Sequence, residues 1–290
     1  MYVVFGASGR AGGETARALI ERGAAVRIVL RRAEEAARWK ATGAQVAIAR
    51  MEEAGAVAAA LEGASGAFLL NPPPVAGDPY ARTEEIGAAL AEGARRTKLP
   101  KAVVLSSVGA QHAFGTGVIA TLNRLEALLE GAATATAFLR PGYFVETWSE
   151  VAEAAVAEGV LPTFLEPAQK IPMVSTIDVG RAAAQLLCED WAGKRIVELC
   201  GPEDWSAGDV ATAFANALGR SVTPAFVPPP QRVAILAAAG VPAEVAKALL
   251  GMYDGIASGQ VAHEPGTEFR RGTVQLNAAV ERIVSVVQAA

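Results

Sequence analysis

A short apolar run that leads directly into closely spaced glycines limits what this chain can fold into. The run Tyr2–Phe5 is continuously apolar, as expected of a parallel strand buried on both faces of a sheet. The segment Gly6–Gly12, which reads GASGRAG, follows at once and carries glycines three residues apart. Ala16, Leu19 and Ile20 then recur at helical spacing. This order predicts a strand, a tight glycine turn and a helix.

The same alternation continues along the chain. Further strand-like segments are Val26–Leu30, Gln45–Ala49, Ala67–Leu70, Lys101–Leu105 and Thr134–Leu139. Helix-like segments between them are Ala33–Lys40, Ala54–Leu61, Thr83–Ala94 and Val118–Glu130. Because helix-length connections favour right-handed crossovers between parallel strands, the pattern predicts an α/β fold with a Rossmann-type doubly wound parallel sheet.

The glycine turn predicts a dinucleotide site. In such folds the first glycine, here Gly6, permits the tight turn, and the second, Gly9, lets a pyrophosphate approach the backbone. The third, Gly12, allows close packing of helix on strand. Amides at the helix start then face the phosphates, with Ser8 beside them. An ordinary glycine-rich turn is the structural alternative.

The residues after the second strand indicate which dinucleotide is preferred. NAD sites usually carry an acid there, but this chain has Arg31 and Arg32, and its next acid is Glu34. Two guanidinium groups suit a 2′-phosphate, and Arg10 could add a third. We therefore expect NADP(H) to be preferred over NAD(H). The alternative is that these arginines are solvated surface residues.

Other candidate residues follow predicted strands, because ligands bind at the carboxyl ends of parallel strands. Asn71 and Pro72 follow the fourth strand, and Ser106 and Ser107 follow the fifth. The segment Arg140–Phe144 follows the sixth and contains Tyr143, which we expect near the reacting end of the cofactor. Each could instead have a purely structural role.

Beyond Trp148 the alternation is less regular. We expect a helix capped by Asp178 and running to Leu187, a strand at Ile196–Leu199, and a capping box at Ser206–Asp209 before a helix. A strand at Val222–Val227 and two closing helical stretches complete the pattern. We assign residues 1–150 to a nucleotide-binding domain. Residues 151–290 are expected to form a smaller carboxy-terminal α/β subdomain that shapes a substrate pocket and returns segments to the sheet.

Composition excludes several classes of protein. Of the 290 residues 52% are apolar, and 26 Lys and Arg against 30 Asp and Glu give a net charge of −4. This balance argues against a nucleic-acid surface, and no apolar stretch reaches the roughly 18 residues of a membrane span. Cys188 and Cys200 lack metal-ligand spacing, so we expect two buried thiols and no metal site. No signal peptide is recognisable, and we expect a cytoplasmic monomer or homodimer.

Five motifs occur in the order GASGRAGG, LRR, FLLNPPP, VVLSSVGA and FLRPGYFVETW. Together they resemble the NmrA-like branch of the atypical short-chain dehydrogenases/reductases over about the first 150 residues. The later IPMVSTIDVGRAAAQLL is similar to the family's segment that returns to the sheet. The resemblance implies cofactor contacts from Gly6, Ser8, Gly9, Arg10, Gly12, Arg31, Asn71, Pro72 and Ser106. It places Tyr143 near the nicotinamide. Where the family has an acid after strand three, this chain has Arg50, so adenine contacts are expected from backbone and from Met51.

The usual catalytic pair of the wider superfamily is missing. The residues four positions after Tyr2, Tyr80, Tyr143 and Tyr253 are not lysine, and the chain has no lysine between Lys101 and Lys170. His112, in a loop at the site edge, is a candidate substitute because histidine titrates near neutrality.

Three functions remain open from the sequence. The first is an NADPH-dependent reductase of a quinone-like or conjugated carbonyl compound, whose oxyanion is delocalised and needs no dedicated acid. The second is a non-catalytic NADP(H) sensor that binds a partner protein. The third is an isomerase or epimerase, which the missing tyrosine–lysine pair disfavours.

Overall fold

The computed structural model describes residues 1–289 and has an eight-stranded parallel sheet at its centre. Its strands are β1 (Tyr2–Phe5), β2 (Val26–Leu30), β3 (Gln45–Ile48), β4 (Gly66–Leu69), β5 (Lys101–Leu105), β6 (Ala135–Pro141), β10 (Gly193–Cys200) and β13 (Glu268–Arg271). They lie side by side in the order β3-β2-β1-β4-β5-β6-β10-β13. The first six follow the Rossmann order, so the fold class expected from the sequence is confirmed.

Helices connect these strands and cover both faces of the sheet. In the first half they are α1 (Arg10–Glu21), α2 (Ala36–Lys40), α3 (Ala54–Leu61), α4 (Pro79–Arg96) and α5 (Val118–Leu129). Alternate residues of β1 enter different cores: Val4 packs with α1, whereas Val3 and Phe5 pack towards α3, α4 and α5. Strands buried on both faces explain why these segments are continuously apolar.

The second half adds small sheets and further helices. The strands are β7 (Tyr143–Phe144), β8 (Val160–Thr163), β9 (Ile171–Val174), β11 (Asp204–Trp205) and β12 (Thr223–Phe226), arranged as β11-β9-β7 and β12-β8. A 3₁₀ segment, Val145–Val151, precedes α6 (Ala152–Glu158). The later helices are α7 (Thr176–Cys188), α8 (Ala207–Leu218), α9 (Pro229–Ala238), α10 (Ala243–Ala257) and α11 (Leu276–Gln288). Trp148, Leu161, Met173 and Phe214 belong to one core shared by these elements.

Helix α7 packs directly against α1, on the same face of the sheet. Gly180 of α7 lies against the backbone of Glu14 in α1, and a Cβ at Gly180 would overlap that backbone. A glycine is therefore required for the two helices to approach this closely. The helix behind the glycine turn is braced by a helix from the second half of the chain.

Several local expectations are corrected. Asp178 does not cap α7: the side chain of Ser175 accepts from the amide of Ile177, and the Asp178 carboxylate instead accepts from the amides of Thr273 and Val274. The Asp178 carboxylate binds amides that are distant in sequence, and Ser175, directly before the helix, caps it instead.

Other corrections concern element lengths and the thiols. Three helices follow β12 where two were expected, and α2 begins at Ala36, three residues later than predicted. Cys188 is exposed near the end of α7, contrary to the expectation of two buried thiols, whereas Cys200 is buried. The capping box of Ser206 with Asp209 is confirmed.

Candidate functional site

The glycine turn after β1 forms an open cradle of backbone. Gly6 has φ +67°, a conformation that favours glycine, and its carbonyl accepts from the amide of Gly9 at 2.9 Å. A Cβ at Gly12 would overlap the carbonyl oxygen of Gly6, whereas a Cβ at Gly9 would lie 3.3 Å from that oxygen. Gly12 is therefore required by packing. Gly9 has little around it, which leaves room for a ligand beside the backbone.

The start of α1 suits an anion. Gly9 is the N-cap residue, and no side chain of the described residues 1–289 caps the helix by accepting from its first amides. Uncapped amides and the helix dipole together attract negatively charged groups, which phosphates supply. The cradle therefore fits the pyrophosphate of a dinucleotide.

Arg31 and Arg32 are exposed immediately after β2, at the carboxyl edge of the sheet. Arg32 approaches Glu34 at 3.8 Å, and both side chains are largely solvated. Within residues 1–289 no carboxylate forms an ion pair with Arg31. A guanidinium without a carboxylate partner is suited to hold the 2′-phosphate of NADP(H).

Arg10 has a different neighbourhood from the other two arginines. Its guanidinium donates to the hydroxyl of Ser149 at 3.0 Å and to the carboxylate of Glu150 at 3.3 Å. These partners lie in the 3₁₀ segment after β7. Arg10 therefore connects the glycine turn with the second half of the chain.

Asn71 and Pro72 lie where β4 ends. The Asn71 amide donates to Thr83 Oγ1 at 2.8 Å, but its buried Oδ1 has no hydrogen-bond partner within residues 1–289. An unpaired buried acceptor is costly, so a donor from a ligand would stabilise it. Pro72 is half-buried beside it, and Met51, in the loop after β3, packs against the cores on both faces of the sheet.

The two serines after β5 differ in what they contact. Ser106 is buried and donates to Glu126 Oε1 at 2.5 Å, so its hydroxyl is engaged inside the protein. Ser107 donates to the carbonyl of Val108 at 2.9 Å and lines a small pocket. Of the two, Ser107 is the one that lines the pocket.

That pocket holds about 50 Å³ and lies beside the carboxyl ends of β5 and β6. Most of its lining is apolar and includes Ile119, Ile171, Met252 and Val261. Tyr143, a candidate catalytic residue from the sequence, also lines it. His112 is not among the lining residues, so the structure does not bring this second candidate to the pocket.

Tyr143 is paired with a second tyrosine that sequence reasoning missed. Its hydroxyl lies 3.3 Å from the hydroxyl of Tyr253, which comes from α10. Burial is the main cause that raises the pKa of Tyr143 well above its usual range, and Tyr253 adds to it. Burial also raises the pKa of Tyr253. The two residues are 110 positions apart, and no local motif signals that they meet.

A buried ionic network lies next to the pocket. Arg140 of β6 binds both oxygens of Glu126 at 2.8 and 2.7 Å and reaches Glu264 at 2.5 Å. Glu198 of β10 is fully buried, accepts from the amide of Glu264 and contacts His263. Charged residues inside the apolar strands β6 and β10 were a signal for this network that sequence reasoning did not use.

Helix α5 is joined to the loop after β5 by a side-chain hydrogen bond. Asn123 of α5 donates to the carbonyl of Ala110 at 2.9 Å and holds the loop after β5. No lysine lies between Lys101 and Lys170, and the pocket's lining residues with hydroxyl groups are Ser107 and Tyr143.

No helix within residues 1–289 has the length and apolarity needed to cross a membrane.

The strand order, the glycine turn and the helix behind it define a Rossmann-type α/β protein. Comparison with known families then gives a specific assignment, because the NmrA-like family matches residues 2–280. The chain belongs to the NmrA-like family, and the resemblance found in its motifs is confirmed.

The individual relatives described next are at most 24% identical to this chain. An NAD(P)H azoreductase of Xenophilus azovorans is 24% identical over 253 residues, which cover 87% of this chain and 86% of that protein. The structure of an Escherichia coli NADPH-dependent quinone oxidoreductase complexed with NADPH has a TM-score of 0.78 at 21% identity, covering 100% of this chain and 99% of the other. Citrobacter triphenylmethane reductase complexed with NADP(H) has a TM-score of 0.79 at 19% identity, covering 97% and 99%. At these identities the two structures show a shared fold.

Proposed function

We propose that this protein is an NADPH-dependent reductase that transfers a hydride to a quinone-like or other conjugated small molecule. The observation that carries the proposal is the placement of two features at the carboxyl edge of one sheet: the open phosphate cradle at Gly9 and the apolar pocket lined by Tyr143. Ligands of doubly wound sheets bind at this edge, where the strand order reverses. The cofactor's phosphates and a flat apolar acceptor would meet there.

The preference for NADP(H) rests on the residues after β2. Arg31 is exposed and has no carboxylate partner within residues 1–289, and no acid stands at the end of the strand to bind a ribose 2′-hydroxyl. The unpaired Oδ1 of Asn71 offers an acceptor to a ligand's N–H at the end of β4. Relatives whose names state NAD(P)H or NADPH use support the same cofactor.

Reduction of a quinone needs little from acid–base catalysis. NADPH supplies the hydride when bound, and the protein orients the acceptor and excludes water. A quinone accepts hydride without a dedicated acid because the resulting oxyanion is delocalised. The azo and triphenylmethane compounds named for the relatives are likewise conjugated, which supports this substrate class.

The test is to measure NADPH oxidation at 340 nm with a panel of acceptors, beside calorimetric titration of NADPH and NADH. We expect NADPH to bind more tightly than NADH, with turnover of a quinone such as menadione or an azo dye such as methyl red. Absence of measurable affinity for both nucleotides would refute the proposal.

A second function is favoured by one observation, the missing catalytic lysine. A protein that binds NADP(H) without turnover could couple occupancy to a regulatory partner protein. Tight binding of NADPH with no oxidation by any acceptor in the panel would favour this sensor over the reductase.

A further inference from the structure

The pocket contains a hydroxyl pair whose second member comes from a distant helix. Tyr143 lines the pocket, and its hydroxyl lies 3.3 Å from that of Tyr253 in α10. Met252, the neighbour of Tyr253, lines the same pocket. Helix α10 therefore contributes Met252 to the pocket wall and Tyr253 to the hydroxyl pair.

The ring of Tyr253 packs against Phe164, and a buried arginine holds Phe164 in place. Phe164 packs edge-on against it, with ring centroids 5.2 Å apart at 85°. The buried guanidinium of Arg232 lies 5.3 Å from the Phe164 centroid and donates to the carbonyls of Phe164 and Val227 at 2.8 and 3.0 Å. Phe164 therefore holds the ring of Tyr253, and Arg232 holds Phe164, which suits a role that needs a defined orientation.

The electrostatic surroundings keep both phenols protonated at neutral pH. Burial raises the pKa of each, and Tyr253 further raises that of Tyr143. Glu150 raises both pKa values, whereas Arg10 lowers that of Tyr143 and Arg232 that of Tyr253. The two hydroxyls share one hydrogen bond, in which either oxygen can be the donor.

We propose that Tyr143 and Tyr253 act as a two-step proton relay, in which Tyr143 protonates the reduced acceptor and Tyr253 restores the proton on Tyr143. This inference rests on the proposed reductase function. After hydride transfer the acceptor is an anion with its negative charge on oxygen or nitrogen. The Tyr143 O–H bond breaks and a new O–H or N–H bond forms on the acceptor. The proton of Tyr253 then moves to the Tyr143 oxygen, and Tyr253 regains one from water.

The relay predicts that the acceptor's basicity decides how much it contributes. The hydroquinone anion that hydride transfer leaves is a weak base, and water can protonate it. Hydride addition to an azo bond leaves a strongly basic nitrogen anion, which needs a proton as the bond changes. General acids typically contribute 10²–10⁴-fold, and the larger effect is expected for the azo acceptor.

The experiment compares Tyr143→Phe, Tyr253→Phe and the double variant with wild type, using menadione and methyl red. With methyl red we expect Tyr143→Phe to lower kcat about 100-fold and Tyr253→Phe about tenfold, with KM little changed. The double variant should be no slower than Tyr143→Phe, because the two act as one unit. With menadione each loss should be smaller. Tyr80→Phe is the matched control, since Tyr80 is exposed and its hydroxyl donates to the Gly117 carbonyl.

A spectroscopic readout separates the relay from a packing role. Phenol ionisation is followed at 295 nm in the folded protein, which thermal denaturation verifies for each variant. In Tyr253→Phe, Tyr143 should ionise at lower pH than in wild type, because Tyr253 contributes to raising its pKa. The phenyl ring keeps its packing against Phe164, so a packing role alone would not move this titration.

Two outcomes keep the relay and the proposed function distinguishable. One outcome is that the wild-type protein reduces methyl red and Tyr253→Phe keeps the wild-type kcat, pH profile and Tyr143 titration. This outcome would overturn the relay and leave the proposed reductase function intact. If the wild-type protein fails to oxidise NADPH with every acceptor in the panel, the proposed function is wrong and the relay is wrong with it.

Discussion

The two halves of the candidate site are built in different ways. The phosphate cradle uses seven consecutive residues, Gly6–Gly12, and consists of backbone. The pocket instead joins Tyr143 to Tyr253, 110 positions away, and consists of side chains. The difference teaches that nucleotide affinity should depend on local backbone geometry. The pocket should depend on contacts that only the complete fold provides.

The largest expected effect concerns the ionic network beside the pocket. Arg140→Leu leaves the buried Glu126 without its bidentate partner, and breaking a buried pair costs about 3–5 kcal/mol. Urea unfolding should show a loss of this size. Arg124→Leu is the control, because Arg124 pairs with Glu84 on the surface and little change is expected. Equal losses in the two variants would contradict the importance of long-range buried contacts here.

Next in size is the effect of filling the cradle. Gly9→Leu should lower NADPH affinity at least about 100-fold, or roughly 2.7 kcal/mol, because its side chain would occupy the space of the pyrophosphate. Gly9 has φ −91°, which leucine adopts without strain, and its Cβ would lie 3.3 Å from the Gly6 oxygen at the N-cap, so stability should fall by only about 1 kcal/mol. Gly12→Ala provides the contrast, since its Cβ overlaps Gly6 and stability itself should fall. Calorimetric titration and thermal denaturation separate the two. Unchanged affinity in Gly9→Leu would remove the phosphate site from this turn.

A smaller effect tests the choice between nucleotides. Arg31→Asp should lower NADPH affinity about 10- to 100-fold relative to NADH, since a charge-assisted hydrogen bond contributes about 1.5–3 kcal/mol. Arg38→Asp makes the same charge change on α2, away from the end of β2, and should leave the ratio of the two affinities near its wild-type value. A ratio that stays constant in Arg31→Asp would show that another group holds the 2′-phosphate.

The smallest expected effect concerns the capping box at the start of α8. The amide of Ser206 is the main cause that lowers the pKa of Asp209, so this carboxylate stabilises the folded state above the ordinary Asp pKa of about 4. Asp209→Asn should cost about 0.5 kcal/mol at pH 7, and the difference from wild type should disappear as the pH falls through the lowered pKa. Glu203→Gln, on the exposed loop before the cap, is the control. NADPH affinity should not change, and a change would show that the cradle also depends on contacts far from Gly6–Gly12.

Sequence reasoning succeeded where neighbours in the chain decide the structure. The strand Tyr2–Phe5, the helix Ala54–Leu61 and the capping box at Ser206 were predicted at their observed positions, because apolar runs and cap spacing are local signals. The motif order also identified the family correctly.

It failed where a distant partner decides. Aspartate is a common N-cap residue, yet the backbone amides of Thr273 and Val274 bind the carboxylate of Asp178. Ser106 was expected to contact the cofactor, and its hydroxyl is found on Glu126; the contact itself stays a prediction. The assignment of cofactor residues and the boundary at residue 150 also remain predictions, as does His112 as a catalytic group.

The close approach of Gly180 to Glu14 has a consequence for how changes travel through the molecule. Helix α1 points its amino end at the cradle, and its flank rests on α7 with no side chain between the two backbones. A methyl group added at Gly180 would push α1 along or away from the sheet. The amides at its start would move with it, so a substitution far from any ligand would loosen nucleotide binding without touching the cradle.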